Sequence, residues 1–333
     1  MMQAIMENSL HDSVRSLAEA DFTHAADSFA NAGFKVRLPA KGILQVVSSS
    51  HMLRRPRLLL SVGVHGDETA PIEMLAQLLA ALEREPHALA VDLMVVVGNM
   101  AAITEGKRFI DADLNRMFRS DRGDLAATAE AARADVIMRA TASFFAGPDA
   151  DKWHLDLHTA IRPSAYPTFA VVPAIIAGPR REALLGLLGR AGIEAAILNT
   201  KPAGTYSAYS AASFGAAGAT VELGQVGEFG NNDLGIAAGM SRTLDHFMRT
   251  GRLEQNETRP RVFRVAQELV KRSDAFRMAF GKDTQNFTPL QPGSLIAEDG
   301  DTTYRVGGET EYVVFPNPDV RPGLRAGLMV VED

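Results

Sequence analysis

The chain has 333 residues, 46% hydrophobic and 22% charged, with a formal net charge of −6 and no cysteine. That is enough chain for one large domain plus a smaller one, and the acidic balance without a basic tract argues against nucleic acid as a partner. The missing thiols exclude disulfides and every cysteine-based metal site, so any metal must sit on histidine and carboxylate.

No apolar run approaches the roughly 18 residues that cross a bilayer, and the first residues show no basic stretch followed by an apolar core. The expectation is a cytoplasmic protein with no membrane partner. Residues 1–43 read as an N-terminal segment, with helix-compatible spacing over Asp12–Ala32 and a turn at Pro39–Gly42 before a short strand, Ile43–Ser48. His51–Arg57 reads as a solvated basic loop leading into Leu58–Val64, an apolar run of strand length. His65 and Glu68 follow where that strand ends.

A helix comes next, with Thr69 as its cap, Pro71 in its first turn and one apolar face at Ile72, Leu75, Leu79 and Leu82, stopped by Pro86. Asp92–Gly98 is a second buried strand. The long loop Asn99–Phe118 then carries Lys107, Arg108, Asp111, Asp113, Asn115 and Arg116; long loops in compact domains tend to be functional. Leu125–Phe145 is an alanine-rich helix ended by Gly147 and Pro148.

Trp153–His158 alternates, placing His154, Asp156 and His158 on one face, and ends at Thr159. Pro167–Val172, Glu194–Leu198 and Ala219–Leu223 are further strands, with helices over Arg180–Ala191 and around Asn232–Arg249 and a Gly- and Ser-rich stretch at Thr200–Gly218. Strands alternating with helices make residues 44–250 an α/β domain, a mixed, mostly parallel sheet with helices on both faces. Past Gly251 the short runs Val262–Val270, Tyr304–Val306, Tyr312–Phe315 and Leu328–Val331 make residues 251–333 a small C-terminal β domain.

A hydrolytic zinc site takes three protein ligands and an open position. His65 and His158, both at strand ends, make a His₂Glu set with Glu68, whose bland reading is helix capping. His154 lies deeper in its strand and reads as a core histidine or one that supports the ligands. His11, His24, His51, His87 and His246 read as solvated side chains. Glu222 sits in an otherwise apolar strand, where a carboxylate is costly to bury alone. It is either ion-paired with a neighbouring Arg or Lys or a general base with a raised pKa, and its place near the strand end favours the base. In the Gly106–Phe118 loop the guanidinium groups suit carboxylate recognition; Asp111 and Asp113 offer the alternative of an internally salt-bridged loop. Arg162, four residues past His158, belongs to the same pocket.

These blocks resemble the succinylglutamate desuccinylase/aspartoacylase family of the zinc carboxypeptidase superfamily. Gly63–Glu73 is similar to its first metal motif, and Gly106–Phe118, with Asp-Leu-Asn-Arg, to its substrate-binding loop. Leu155–Arg162 is similar to the segment of the third ligand, and Thr220–Gly224 to that of the catalytic glutamate. They run in the family's order, and the likeness covers most of the chain from about residue 58, leaving the first 43 residues unmatched. The resemblance implies a carboxypeptidase-like fold and one Zn²⁺ per subunit on His65, Glu68 and His158. It makes Glu222 the proton-transferring group, gives Arg108 a further role in stabilising the oxyanion, and puts Arg108, Asn115 and Arg116 on substrate-contacting positions.

His158-Thr-Ala-Ile-Arg162 and Glu222-Leu-Gly-Gln225 are like the desuccinylase branch. That branch hydrolyses N-succinyl-L-glutamate, the last step of arginine catabolism by succinylation; the alternative is an aspartoacylase-like deacylase of another N-acyl acidic amino acid. Asp67 stands where Asn is common in the family, with little effect expected on the metal. The oligomeric state is left open, a homo-oligomer included.

Overall fold

The computed structural model describes residues 12–50, 54–147, 150–201, 204–254, 258–281 and 283–333. The expectations for His11, His51 and Pro148 fall outside them. In chain order the strands are β1 (Lys35–Ala40), β2 (Ile43–Val47), β3 (Arg57–Val62), β4 (Asp92–Val97), β5 (Lys152–Ala160), β6 (Thr168–Pro173), β7 (Ala195–Asn199) and β8 (Ala217–Gln225). The C-terminal region adds β9 (Arg261–Val270), β10 (Arg277–Met278), β11 (Thr288–Leu290), β12 (Leu295–Asp299), β13 (Thr302–Arg305), β14 (Glu311–Val314) and β15 (Arg325–Glu332).

One sheet runs β1-β2-β4-β3-β5-β8-β6-β7-β9-β15-β14-β11. From β4 to β9 its pairings are parallel except where β6 meets β8. β3 and β4 are largely apolar without alternation because both faces are covered. Leu58, Leu60 and Val62 pack to one side with Ile72, Leu75, Leu79 and Leu82 of the helix Ala70–Arg84. Leu59 points to the other, where it meets Ile137 and Phe144 of the helix Ala129–Phe144. The two-residue period of the strand thus feeds two cores.

Several local expectations change. Asp12–Ala32 is interrupted at Ala20, whose φ is +58°, and resumes as the helix Thr23–Asn31. The turn before β2 belongs to a hairpin whose first strand, β1, was not anticipated. The loop Asn99–Phe118 opens with a short helix, Met100–Glu105, capped by the Asn99 side chain accepting from the Ala102 N–H at 3.2 Å. The stretch Thr200–Gly218 contains the helix Tyr206–Phe214, capped by Thr205. In the C-terminal region β9 pairs with β7 and extends the large sheet, while β10, β12 and β13 form a small second sheet. Among the described residues no helix is long and apolar enough to cross a membrane.

Candidate active site and metal centre

The turn after β3 is held too tightly for any side chain at its centre. A Cβ on Gly66 would lie 2.2 Å from the Ala102 carbonyl carbon, and the Gly66 N–H donates to the Arg108 carbonyl at 3.1 Å. Clamped this way, the turn delivers His65 and Glu68 to the point that β5 reaches with His158. On the neighbouring β8, Glu222 stands opposite His158 in register. Thr69 does not cap the helix as expected. Its hydroxyl donates to the Gly227 carbonyl and accepts from the Asn232 amide, both at 2.8 Å, tying the helix start to the segment beyond β8.

His65, Glu68 and His158 are buried, and one ligand atom from each lies within 4.8 Å of the others. Glu68 bridges the rings, Oε1 at 2.7 Å from His65 Nδ1 and Oε2 at 2.7 Å from His158 Nδ1. The two Nδ1 atoms are 3.2 Å apart. Tetrahedral metal–nitrogen bonds of about 2.0–2.1 Å would separate them by about 3.4 Å. Each ring rests its other nitrogen on a carboxylate: His65 Nε2 on Asp113 Oδ1 and His158 Nε2 on Asp156 Oδ2, both at 2.9 Å. A carboxylate there keeps the proton on Nε2 and turns the Nδ1 lone pair inward, an arrangement characteristic of metal-binding histidines. This group can hold a metal ion, and its donor chemistry fits a divalent one.

Charge also couples these groups to one another. Burial pushes the Glu68 carboxyl up, but His65 and His158 outweigh it and hold the pKa well below the usual range. Burial pushes His158 down, yet Asp156 and Glu68 raise its pKa well above normal. His154 stays apart from the cluster. Its Nε2 lies 2.9 Å from Ser61 Oγ and its Nδ1 2.7 Å from Ser210 Oγ, and burial lowers its pKa to about 4. Ser61 in turn donates to Asp156 Oδ1 at 2.6 Å.

Glu222 is buried, and its Oε2 has no hydrogen-bond partner among the described residues. Burial, reinforced by the Glu68 charge, lifts its pKa to about 7 against the pull of His158, Arg108 and His65. Arg108 is not held within its own loop: Nη1 donates to Glu68 Oε1 at 2.7 Å. Asn115 lies beneath the cluster. Its amide nitrogen is 3.3 Å from His158 Nε2 and its oxygen accepts from the Tyr206 N–H at 2.9 Å. Arg116 donates to the Asn115 carbonyl at 2.8 Å and stays 41% exposed. Arg162 reaches the C-terminal region, donating to the Pro316 carbonyl at 2.9 Å. Asp67 has a buried Oδ1 without a hydrogen bond among the described residues, and burial raises its pKa.

Three residues of the site were not singled out from sequence. Asp156 carried a signal, since strand alternation puts it on the face of His158. Asp113 was read only as an ion-pair partner within its loop. Glu130 had no local signal at all: from the helix Ala129–Phe144 its carboxylate accepts from the Ile110, Asp111 and Ala112 N–H groups and from Asn99 Nδ2, at 2.8–3.3 Å, and so anchors the loop that carries Arg108 and Arg116.

Residues 54–249 match the succinylglutamate desuccinylase/aspartoacylase catalytic domain, and residues 258–333 the AstE/AspA barrel-sandwich hybrid domain. The succinylglutamate desuccinylase of Burkholderia orbicola (strain AU 1054) is 44% identical over 280 residues, covering 84% of this chain and 82% of that one. The enzyme of the same name from Burkholderia thailandensis is 40% identical over 312 residues, covering 93% and 89%. Among solved structures, the succinylglutamate desuccinylase of Vibrio cholerae superposes with a TM-score of 0.83 at 32% identity, covering 90% of this chain and 88% of that one. With both domains matched in order and the relatives covered over most of their length, the chain belongs to the succinylglutamate desuccinylase/aspartoacylase family.

Proposed function

We propose that the chain is a zinc amidohydrolase that cleaves N-succinyl-L-glutamate to succinate and L-glutamate in the cytoplasm, as the last step of arginine breakdown through succinylated intermediates. The observation that carries the chemistry is the buried His65–Glu68–His158 group with the unpaired Glu222 carboxylate beside it on the next strand. The names of its relatives support the substrate.

His65 Nδ1, His158 Nδ1 and Glu68 would hold the zinc, with Asp113 and Asp156 fixing both rings. When bound, zinc supplies Lewis acidity, polarising the scissile carbonyl and lowering the pKa of water from the bulk value toward about 7. Glu222 takes a proton from the attacking water and returns it to the departing amine nitrogen, so that amide and water become carboxylate and amine. Its raised pKa suits both halves of that exchange. Arg108, already aimed at the cluster, donates to the oxygen on which negative charge grows. Asn115 donates to Asp156 Oδ2 at 3.4 Å and so supports the carboxylate that fixes His158, while Arg116 and Arg162 offer charge to the substrate's carboxylates.

The test is amine release from N-succinyl-L-glutamate and N-acetyl-L-aspartate side by side, before and after chelation and zinc return. Zinc-restored activity confined to the succinyl substrate supports the proposal. Activity confined to N-acetyl-L-aspartate would replace the substrate, and activity that survives complete chelation would remove the metal.

A further inference from the structure

Arg325 opens β15, paired with Val270 at the end of β9. Its side chain is partly buried, and its guanidinium forms no hydrogen bond or close ion pair among the described residues. The acids whose fields reach it are already committed: Glu268 to Lys201 Nζ at 2.9 Å and Asp113 to His65 Nε2 at 2.9 Å. Its other charged neighbour is a cation, Arg116. Burial, and then the repulsion of Arg116, lowers the pKa of Arg325 to about 10.

Two sets of contacts bring this strand end to the catalytic loop. The Lys201–Glu268 pair ties β9 to the segment after β7, and in that segment the Gly204 carbonyl accepts from the Phe118 N–H at 3.2 Å. The backbone of Gly204 lies so close to Arg116 that a Cβ there would meet the Arg116 carbonyl oxygen at 2.8 Å. On the other side, the Asn317 N–H donates to the Ala326 carbonyl at 2.7 Å, next to the Pro316 whose own carbonyl holds Arg162. Arg325 therefore comes from the C-terminal region into the neighbourhood of Arg116.

Two guanidinium groups held near each other repel each other unless an anion sits between them, and the one acid paired with Arg116, Asp113, is shared with His65. Arg116 spends its one short hydrogen bond on a backbone carbonyl, and its distance to Asp113 Oδ2 is 3.8 Å. We propose that Arg325, supplied by the C-terminal region, binds together with Arg116 a substrate carboxylate remote from the scissile amide. The inference rests on the amide-hydrolase reading above and deepens it, giving the C-terminal region a direct part in substrate selection. The remote carboxylate is that of the acyl chain or one of the two on the amino acid, and substrate analogues tell them apart.

The experiment is Arg325→Met in the full zinc-loaded chain. The expected result is a KM for N-succinyl-L-glutamate raised on the order of tenfold to a hundredfold, the scale of a lost charged hydrogen bond, with kcat changed far less. Arg325→Lys should recover part of the loss. The thermal midpoint should stay at the parent value, because the guanidinium makes no hydrogen bond among the described residues. N-acetyl-L-glutamate lacks the acyl carboxylate and N-succinyl-L-glutamine the side-chain one. The substitution should be silent on the analogue missing the group Arg325 binds, and a loss on both assigns the α-carboxylate.

An unchanged KM overturns the proposal, as does a fall in kcat alone accompanied by a lower thermal midpoint. If the parent does not turn over N-succinyl-L-glutamate, the substrate reading falls by itself, and calorimetric binding of succinate and of L-glutamate then judges Arg325. Weaker binding of either by Arg325→Met supports the anion site, and unchanged binding of both overturns it.

Discussion

Asp156 Oδ2 lies 2.9 Å from His158 Nε2, and this contact determines which nitrogen of the ring faces Glu68. The same aspartate accepts from Ser61 through its other oxygen, so the carboxylate is held at both ends. Replacing it with Asn keeps the size but removes the charge that favours a proton on Nε2. Asp156→Asn is expected to lower zinc affinity about tenfold to a hundredfold, the range found for such supporting carboxylates. Competition with a chelator of known affinity measures it, and an affinity equal to the parent's would refute the role.

Glu222→Gln should retain one zinc per chain while kcat falls by about 10²–10⁴, the range of general acid–base catalysis. Metal analysis and turnover on the same preparation check the two halves together. The pH dependence follows from the sign. A base must be deprotonated, so kcat/KM falls as pH drops through the Glu222 pKa. Burial and Glu68 put that pKa at about 7, and a bound divalent cation pulls it lower, so the acid limb should lie below pH 7 and vanish from any residual activity of the Gln variant.

His154 links stability to pH. Its folded pKa is lowered from 6.5 to about 4 because the ring is buried. The unfolded chain therefore binds the extra proton first, and stability present above pH 6.5 is lost as pH falls toward 4. The shift corresponds to about 3 kcal/mol. Urea denaturation at pH 7 and at pH 5 should show a smaller loss for His154→Gln than for the parent. Equal losses would show that His154 does not contribute.

Glu130→Ala strands the N–H groups of Ile110, Asp111 and Ala112, which its carboxylate now collects. Of the donors it satisfies, the Ala112 N–H and Asn99 Nδ2 are buried, and each buried donor left unmade costs about 1–3 kcal/mol. The variant should lose several kcal/mol in denaturant unfolding and show a raised KM as the loop of Arg108 and Arg116 loosens. Stability within error of the parent would mean that the loop is held by other contacts.

Much of this molecule could be read along the chain. The runs Leu58–Val64 and Asp92–Gly98 are apolar without alternation, which only a strand covered on both faces tolerates. The ends of Leu58–Val64, Trp153–His158 and Ala219–Leu223 therefore marked the rim where His65, Glu68, His158 and Glu222 converge. Local chemistry was enough for that, because a strand's period and its stopping point are properties of neighbouring residues. What the ends did with their surroundings was not local. Thr69 had a cap's position, yet its hydroxyl goes to Gly227, 158 residues away. Glu130 looked like any helix carboxylate and holds a loop it does not adjoin. Arg325 lies 209 positions after Arg116, and only the extension of the main sheet through β9 and β15 brings the two together. The sequence by itself determined the central strands, their order of chemistry and the residues able to bind a metal. The tertiary structure decided which partner each buried polar group would find, because a hydrogen bond or a charge pair between distant positions exists only once the chain has closed around it.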